Sequence, residues 1–144
     1  ADLTHDPKKI PEFIKELKNA PFVLGSRFVE GGSLDTTGWR RALSIFGNKF
    51  IKIAFAINSN EFTTAFRGYN LKKLEGFDLR DVKSKGYSFF METIYRINKL
   101  GYEIKEIPII FKNRTQGESK IPKIEIFRTL KNLFFLTLNN KLFR

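Results

Sequence analysis

Apolar residues recur every three or four positions in four parts of this chain, and this spacing is typical of amphipathic helices. The predicted helices are one that begins at Pro11 and ends before Pro21, and three over residues 40–57, 87–100 and 122–139. On the first helix, Ile10, Ile14 and Leu17 share one face. On the central helix the shared face consists of Leu43, Phe46, Phe50, Ile53 and Ile57.

Short apolar runs predict the strands. Residues 22–24 form a continuous run, Phe-Val-Leu, which is typical of a buried strand and leads into a loop at 25–27. Residues 62–69 are predicted to be extended, and residues 103–111 to form a strand with Pro108 at an edge or bulge. Because the strands alternate with helices, the predicted fold class is α/β, with a sheet flanked by helices.

Composition restricts the chemistry that the chain can perform. It has 144 residues, 26 Lys and Arg against 15 Asp and Glu, no cysteine and one histidine. Thiolate chemistry and multi-histidine zinc sites are therefore excluded. The net charge of +11 points to polyanionic partners, namely nucleic acid, phosphorylated small molecules or an anionic membrane. No apolar run approaches the ~20 residues that span a bilayer.

Two acidic residues precede the first helix. Asp2 and Asp6 lie four residues apart, and their carboxylates could bind a hard divalent cation shared with phosphates. The alternative is that Asp or Thr in this segment caps the helix that follows.

Two further segments combine glycine, hydroxyl and basic residues. In the first, Arg27 follows Gly25 and Ser26, and Arg40 begins the central helix with Ser44 one turn later. Arginine side chains and helix N-termini both suit phosphate groups. The second segment, residues 114–120, places Gly117 between cations and could form an anion-binding loop. Solvated basic loops are the alternative for both.

Glu92 and Arg67 are candidates because of their apolar surroundings. Glu92 lies among Phe89, Phe90, Met91 and Ile94, where a carboxylate costs free energy unless it is paired. An exposed helical glutamate is the alternative. Arg67 is either an ion-pair partner or a ligand contact.

Taken in chain order, these segments resemble the motifs of polyprenyl-phosphate glycosyltransferases, especially dolichol-phosphate mannosyltransferases, which belong to glycosyltransferase family 2. The matching segments are 1–7 (the end of D-A-D-L-x-H-x-P), 25–32 (G-S-R and G-G), 40–48 (R-x-x-x-S-x-x-x-N), 63–67 (T-S-G-F-R), 86–92 (G-Y-x-F-x-x-E), 106–109 (E-V-P-I) and 114–120 (R-x-x-G-x-S-K). Glu61 and Ala65 depart from the family, which usually has Asp and Gly there.

The resemblance implies the C-terminal portion of a GT-A fold, with a mixed sheet flanked by helices. Residues 1–121 would be the acceptor side of the catalytic domain, and residues 122–144 an amphipathic helix and tail. A nucleotide-binding half would precede Ala1, so that this fragment alone would be inactive. Asp2 would be the second aspartate of the D-x-D pair and would contact Mg²⁺ or Mn²⁺ on the donor diphosphate.

The implied reaction is inverting transfer of a sugar, mannose or glucose, from a nucleotide-sugar donor to the phosphate of a polyprenyl phosphate. The residues that the resemblance assigns as catalytic are Asp2, Glu61 and Glu92, the two glutamates being candidates for sugar or arginine positioning. Those assigned to phosphate or substrate binding are Arg27, Arg40, Ser44, Arg67, Arg114, Ser119 and Lys120.

The implied location is the cytoplasmic face of a membrane, as a peripheral protein. The helix over 122–139 could lie in the bilayer interface, or it could pack on the domain. Nucleic acid is not expected as a partner. Two other functions stay open from the sequence: a basic nucleic-acid-binding module, and a family 2 transferase with a non-lipid acceptor.

Overall fold

The computed structural model of the chain describes residues 5–35 and 38–111. In these residues the helices are α1 (Ile10–Leu17), α2 (Gly38–Phe55) and α3 (Tyr87–Lys99). The strands of the same residues are β1 (Phe22–Ser26), β2 (Ser33–Leu34), β3 (Arg67–Tyr69), β4 (Lys105–Pro108) and β5 (Ile110–Phe111), and short 3₁₀ turns occur at Pro7–Lys9 and Leu79–Asp81. The α/β class is confirmed. The helix predicted over 122–139 lies outside the described residues.

The main sheet is mixed and has β1 at its centre. Its order is β3-β1-β4, with β3 antiparallel and β4 parallel to β1. A second pair, β2 and β5, is parallel, and β5 follows β4 almost directly along the chain. The predicted mixed sheet is therefore confirmed, and the assignment of a GT-A fold stays a prediction.

Helices cover both faces of β1, whose five residues are all buried. Phe22 and Leu24 pack in one apolar cluster with α2 and α3. Val23 points to the other face and packs with Phe13 of α1. Since successive residues of a strand point to opposite faces, this continuous apolar run is what a strand buried on both sides requires.

Both predicted helices α1 and α2 exist, but most residues of their predicted apolar faces are exposed. On α1, Leu17 packs beside the buried Phe13 as predicted, whereas Ile10 and Ile14 are 47% and 57% exposed. On α2, the predicted interior positions from Leu43 to Ile53 are exposed, and Ile51 and Phe55 reach the core instead. Both sides of α2 carry apolar residues at helical spacing, so the spacing predicts the helix but not which face is buried.

The strand bounds also differ from the predictions. Within residues 62–69, the strand is limited to Arg67–Tyr69, although the Phe66 carbonyl before it also accepts the Gly25 N–H of β1 at 2.9 Å. Earlier in the segment, the N–H groups of Phe62 and Thr63 bond to side chains instead. The segment predicted over 103–111 forms β4 and β5, and Pro108, which has no N–H to donate, is the last residue of β4. Gly101 follows α3 at a φ of 84°, which confirms the predicted end of that helix.

Within the residues that the structure describes, no helix is both long and apolar enough to cross a membrane.

Candidate functional site

A buried polar loop connects α2 to β3. We call residues 58–66 the Glu61 loop. The main chain turns from α2 into this loop at Ala56, whose φ of 52° lies in the left-handed region. Ser59 and Glu61 are fully buried, and the Ser59 hydroxyl donates to the Glu61 carbonyl at 3.0 Å. Polar groups buried to this extent must be hydrogen-bonded, so the partners of the loop explain why it adopts this shape.

The central contact of the loop is a bidentate ion pair between Arg27 and Glu61. Nε of Arg27 donates to Oε2 at 2.6 Å and Nη2 donates to Oε1 at 2.8 Å. Nη2 also donates to the Thr63 hydroxyl at 2.7 Å. The side chain of Arg27 is 11% exposed and that of Glu61 is fully buried. The guanidinium plane is therefore fixed directly beyond the end of β1, and its charge is matched locally.

Glu61 accepts three more hydrogen bonds from its own loop. The donors to Oε1 are the N–H and hydroxyl of Thr63, both at 2.9 Å, and the N–H of Thr64 at 3.3 Å. Burial raises the pKa of Glu61, but the hydrogen bonds and charge of Arg27, together with Thr63, outweigh burial and hold this pKa below its ordinary value. A carboxylate in this state is an anchor for an arginine and is poorly suited to exchange protons.

Asn48 connects α2 to the loop. Its Nδ2 donates to the Ser44 carbonyl one turn earlier at 2.8 Å, and its Oδ1 accepts the Phe62 N–H at 2.8 Å. Asn48 is only 4% exposed. Asn48 is itself held by the Ser44 carbonyl, and it fixes the main chain of Phe62, the residue that follows Glu61, against α2.

A second connection passes through Asn60. Lys52 of α2 donates to the Asn60 Oδ1 at 2.8 Å. Glu106 of β4 accepts the Asn60 N–H at 3.1 Å and the Asn60 Nδ2 at 3.0 Å, both through Oε2. The loop is thus held from α2, from β4 and from the end of β1.

Arg67 holds the far end of the loop against α3. It donates to the carbonyls of Thr64 at 2.8 Å, Phe62 at 3.0 Å and Phe90 at 2.7 Å. Its guanidinium also lies 4.8 Å from the centre of the Phe90 ring. Burial lowers the pKa of Arg67 to about 10, so the group stays protonated at neutral pH. In the described contacts, Arg67 bonds to main-chain carbonyls and not to a carboxylate.

Glu92 holds the segment that leads into α3. It accepts the N–H of Ser84 at 2.9 Å and that of Lys83 at 3.3 Å, and Nε of Arg96 donates to it at 2.7 Å. Its side chain is 4% exposed. Burial raises the pKa of Glu92, but the bonds from Ser84 and Arg96 bring the net pKa below its ordinary value. Glu92 is therefore buried and paired, and the alternative of an exposed helical glutamate is wrong.

Aromatic rings surround the Arg27 side chain. Its guanidinium carbon lies 5.1 Å from the ring centre of Phe28 and 5.5 Å from that of Phe111. The His5 ring stacks on Phe66 at 5.1 Å and contacts Phe111 edge-on at 5.6 Å. His5 and Arg27 therefore both contact Phe111. His5 belongs to the matched segment 1–7, and it lies on the same side of the sheet as Arg27.

Two curated proteins match most of this chain. The undecaprenyl-phosphate mannosyltransferase of Micrococcus luteus is 35% identical over 124 residues, which are 84% of this chain and 50% of that protein. The polyprenol monophosphomannose synthase of Mycolicibacterium smegmatis is 32% identical over 123 residues, 84% of this chain and 46% of that protein. The chain is therefore similar to polyprenyl-phosphate mannosyltransferases. The predicted resemblance is confirmed.

The chain spans about half the length of the curated relatives it matches. No family model matches it.

The structure brings together three of the residues predicted for the site. Arg27, Glu61 and Arg67 all meet at the Glu61 loop. Ser44 contacts Asn48 through its main-chain carbonyl, and Arg40 lies in the first turn of α2. Glu92 makes its hydrogen bonds elsewhere, at residues 83–84 and 96. Four predicted residues, Asp2, Arg114, Ser119 and Lys120, lie outside the described residues.

Three residues that hold the loop are absent from the predicted site. They are Asn48, Asn60 and Glu106. Asn48 and Glu106 do occur in the matched segments 40–48 and 106–109, and the match to family motifs could have indicated both residues. Asn60 has no such signal, because its role depends on a main-chain N–H that only the fold brings to Glu106.

In residues 5–35 and 38–111, no group of three or more histidine or acidic side chains could hold a metal ion. The Glu61 carboxylate already accepts five hydrogen bonds, which come from Arg27, Thr63 and Thr64. The predicted Mg²⁺ or Mn²⁺ rests on Asp2, which lies outside the described residues, and it stays a prediction.

The depressed pKa of Glu61 predicts a stability that depends on pH. Because the folded-state pKa lies below the ordinary value of 4.5, protonation favours the unfolded chain. This contribution is complete above about pH 5.5 and is lost as the pH falls through the folded-state pKa. Urea unfolding at a series of pH values should show this fall, and Glu61→Gln should reduce it. An identical pH dependence in the variant would contradict the assignment.

Proposed function

We propose that the full-length protein transfers a mannosyl group from a nucleotide-sugar donor to the phosphate of a polyprenyl phosphate, with inversion at the anomeric carbon. The observation that carries this proposal is the match to two proteins whose names specify mannose and a polyprenyl carrier. Those names favour mannose over glucose, the other sugar that the sequence left open.

The acceptor itself supplies the nucleophile in this reaction. A phosphate monoester has a second pKa of about 6 and is largely dianionic at neutral pH, so it needs no strong general base. One of its oxygens forms a bond to the anomeric carbon as the bond to the donor diphosphate breaks, and a nucleoside diphosphate leaves. The protein has to align two anions and stabilise the leaving group.

The proposal gives Glu61 and Arg67 positioning roles. Glu61 fixes the guanidinium plane of Arg27, and Arg67 fixes the loop that carries Glu61. Nη1 of Arg27 is not used by Glu61 or Thr63, and in the proposal it faces a substrate phosphate. The carboxylate of Glu92 orders the entry to α3.

The remaining predicted residues act on the anions in this proposal. Arg40, Arg114 and Lys120 contact phosphate oxygens, and Ser44 and Ser119 donate hydroxyl hydrogen bonds. A Mg²⁺ or Mn²⁺ ion at Asp2 would neutralise charge on the donor diphosphate; no side chain of the described region is assigned to it. The protein would act as a peripheral protein at the cytoplasmic face of the membrane that contains the acceptor.

The direct test is a transfer assay on the full-length protein. Incubation with nucleotide-linked mannose and a detergent-solubilised polyprenyl phosphate should yield a mannosylated lipid phosphate, separable by thin-layer chromatography. Transfer to a polysaccharide end instead of the lipid would support the non-lipid acceptor. Retention on DNA without any transfer would support the nucleic-acid-binding module.

Lys120→Ala in the full-length protein should lower the transfer rate by at least ~10-fold, because a hydrogen bond to a charged group contributes roughly 1.5–3 kcal/mol. Lys72→Ala is the matched control, since Lys72 is exposed on the loop after β3. The control should transfer at the normal rate. Near-normal transfer by the Lys120 variant would remove this residue from the site.

A further inference from the structure

Glu106 places a carboxylate on a face of β4 where the strand pattern calls for an apolar residue. It lies in register with Leu24 of β1, which packs with α2 and α3, whereas the next residue, Ile107, packs with Phe13 of α1. Because successive residues of a strand point to opposite faces, the Glu106 side chain lies on the α2 side of the sheet. A charged group there costs free energy unless it is hydrogen-bonded, so its partners indicate why the strand carries it.

The described hydrogen bonds of Glu106 all go to one residue, Asn60. Oε2 of Glu106 accepts the Asn60 main-chain N–H at 3.1 Å and the Asn60 Nδ2 at 3.0 Å, and Oε1 lies 3.2 Å from the same main-chain nitrogen. On its other side, Asn60 accepts the Lys52 ammonium through Oδ1 at 2.8 Å. The ammonium fixes the oxygen of the amide, so the NH₂ group must face Glu106. Asn60 is therefore held in one orientation between a cation and a carboxylate.

Asn60 directly precedes Glu61, whose carboxylate fixes the guanidinium of Arg27. The main chain is held on both sides of Glu61, by Glu106 at the preceding N–H and by Asn48 at the following one. The two bonds of the Arg27–Glu61 ion pair are 2.6 and 2.8 Å long, and such a bidentate pair depends on the exact placement of the carboxylate. A displacement of Asn60 is therefore passed on to Arg27 through one residue of the loop.

We propose that Glu106 is a positioning residue for the transfer reaction. Acting through Asn60, it sets the carboxylate of Glu61, and that carboxylate in turn aims the Arg27 guanidinium at a substrate phosphate. Glu106 itself does not touch the substrate. The reaction is the one given under the proposed function, on which this inference rests, whereas the positioning follows from the contacts of β4 with the Glu61 loop.

Two single substitutions and their combination test the positioning without changing the size of any side chain. Asn60→Asp creates a carboxylate that faces the Glu106 carboxylate, and the like charges repel. Glu106→Gln keeps one oxygen for the main-chain N–H but places its own NH₂ group against that of Asn60. The double variant restores the pattern, because the new amide at position 106 donates to the new carboxylate at position 60 and still accepts the main-chain N–H. Lys52 keeps an acceptor in all three variants.

The first readout is transfer by the full-length protein. Each single substitution should lower kcat/KM at least ~10-fold, because a misplaced group in an active site loses rate steeply, and the double variant should return to within ~3-fold of the parent. Asn19→Asp and Glu103→Gln are the matched controls, since they make the same chemical changes at exposed positions. Both controls should transfer at the parental rate. All rates are measured well below the unfolding midpoint of each variant.

Hydrogen exchange at the Arg27 Nε–H measures the positioning without any substrate. In the full-length protein labelled with ¹⁵N-arginine, this hydrogen should exchange slowly, since the side chain is 11% exposed and Nε bonds to Glu61 at 2.6 Å. Each single substitution should speed its exchange at least ~10-fold, and the double variant should restore the slow exchange. The main-chain N–H of Arg96, inside α3, is the reference for global opening and should keep its protection.

Three results would overturn the inference. One is that neither single substitution changes exchange at Arg27 or the rate of transfer. Another is that the double variant restores neither property. The third is an equal loss of protection at Arg96, which would make Glu106 a residue for global stability only. Absence of transfer from the parent full-length protein would contradict the proposed function alone, because the exchange measurement needs neither donor nor acceptor.

Discussion

Replacing Glu61 with Gln is expected to lower the free energy of unfolding by about 3 kcal/mol, because it removes one partner of a buried ion pair. Arg27 would keep its charge at 11% exposure, and its Nε and Nη2 would face an amide that can accept at one oxygen only. Urea unfolding at neutral pH measures the difference directly.

The exposed pair of Lys9 and Glu12 provides the control for this experiment. Their side chains are 34% and 42% exposed, and the ion pair spans 2.7 Å. Glu12→Gln should change the free energy of unfolding by less than ~0.5 kcal/mol, since solvent screens such pairs. If Glu61→Gln proved as mild as Glu12→Gln, the Arg27–Glu61 pair would not be a stabilising anchor of the loop.

Arg67→Met is expected to lower the free energy of unfolding by at least ~3 kcal/mol, because buried carbonyls that lose their donor each cost about 1–3 kcal/mol. Three carbonyls lose a donor at once, those of Phe62, Thr64 and Phe90. Arg67→Lys should recover part of the loss, because a single ammonium cannot reproduce the guanidinium fork. Thermal and urea unfolding of the three proteins test this order.

Arg80→Met is a suitable control for the arginine substitution. Arg80 is exposed and bonds to its neighbour Asp78 on the surface. Its replacement should leave the unfolding midpoint where it is. An Arg67→Met protein with the same midpoint as the Arg80→Met protein would show that the three carbonyls find other donors or water.

The local elements of this fold could be predicted from the sequence, whereas their contacts could not. The run Phe22-Val23-Leu24 predicted β1 because continuous apolar residues are required when helices cover both faces. Gly101 predicted the end of α3 because a left-handed residue is common there. For α2, however, two apolar faces have the same period, and only the position of the sheet decides that Ile51 is buried and Phe50 exposed.

The candidate site was predictable to a similar extent. Resemblance to family motifs singled out Arg27, Glu61 and Arg67, and the structure places all three at one loop. The sequence could not indicate that Arg67 bonds to carbonyls, because those acceptors are main-chain atoms that every residue has. Nor could it indicate that Glu106 binds Asn60, since 46 residues separate them along the chain.

The long separations between the Glu61 loop and its partners also bear on how this protein folds. The loop is held by side chains 14, 34 and 46 residues away in sequence, on α2, after β1 and on β4. Closing such large loops costs chain entropy before any contact forms. We therefore expect the loop to become ordered after the helices and the β1 core. Substitutions in it should then act mainly on the rate of unfolding, leaving the rate of folding nearly unchanged.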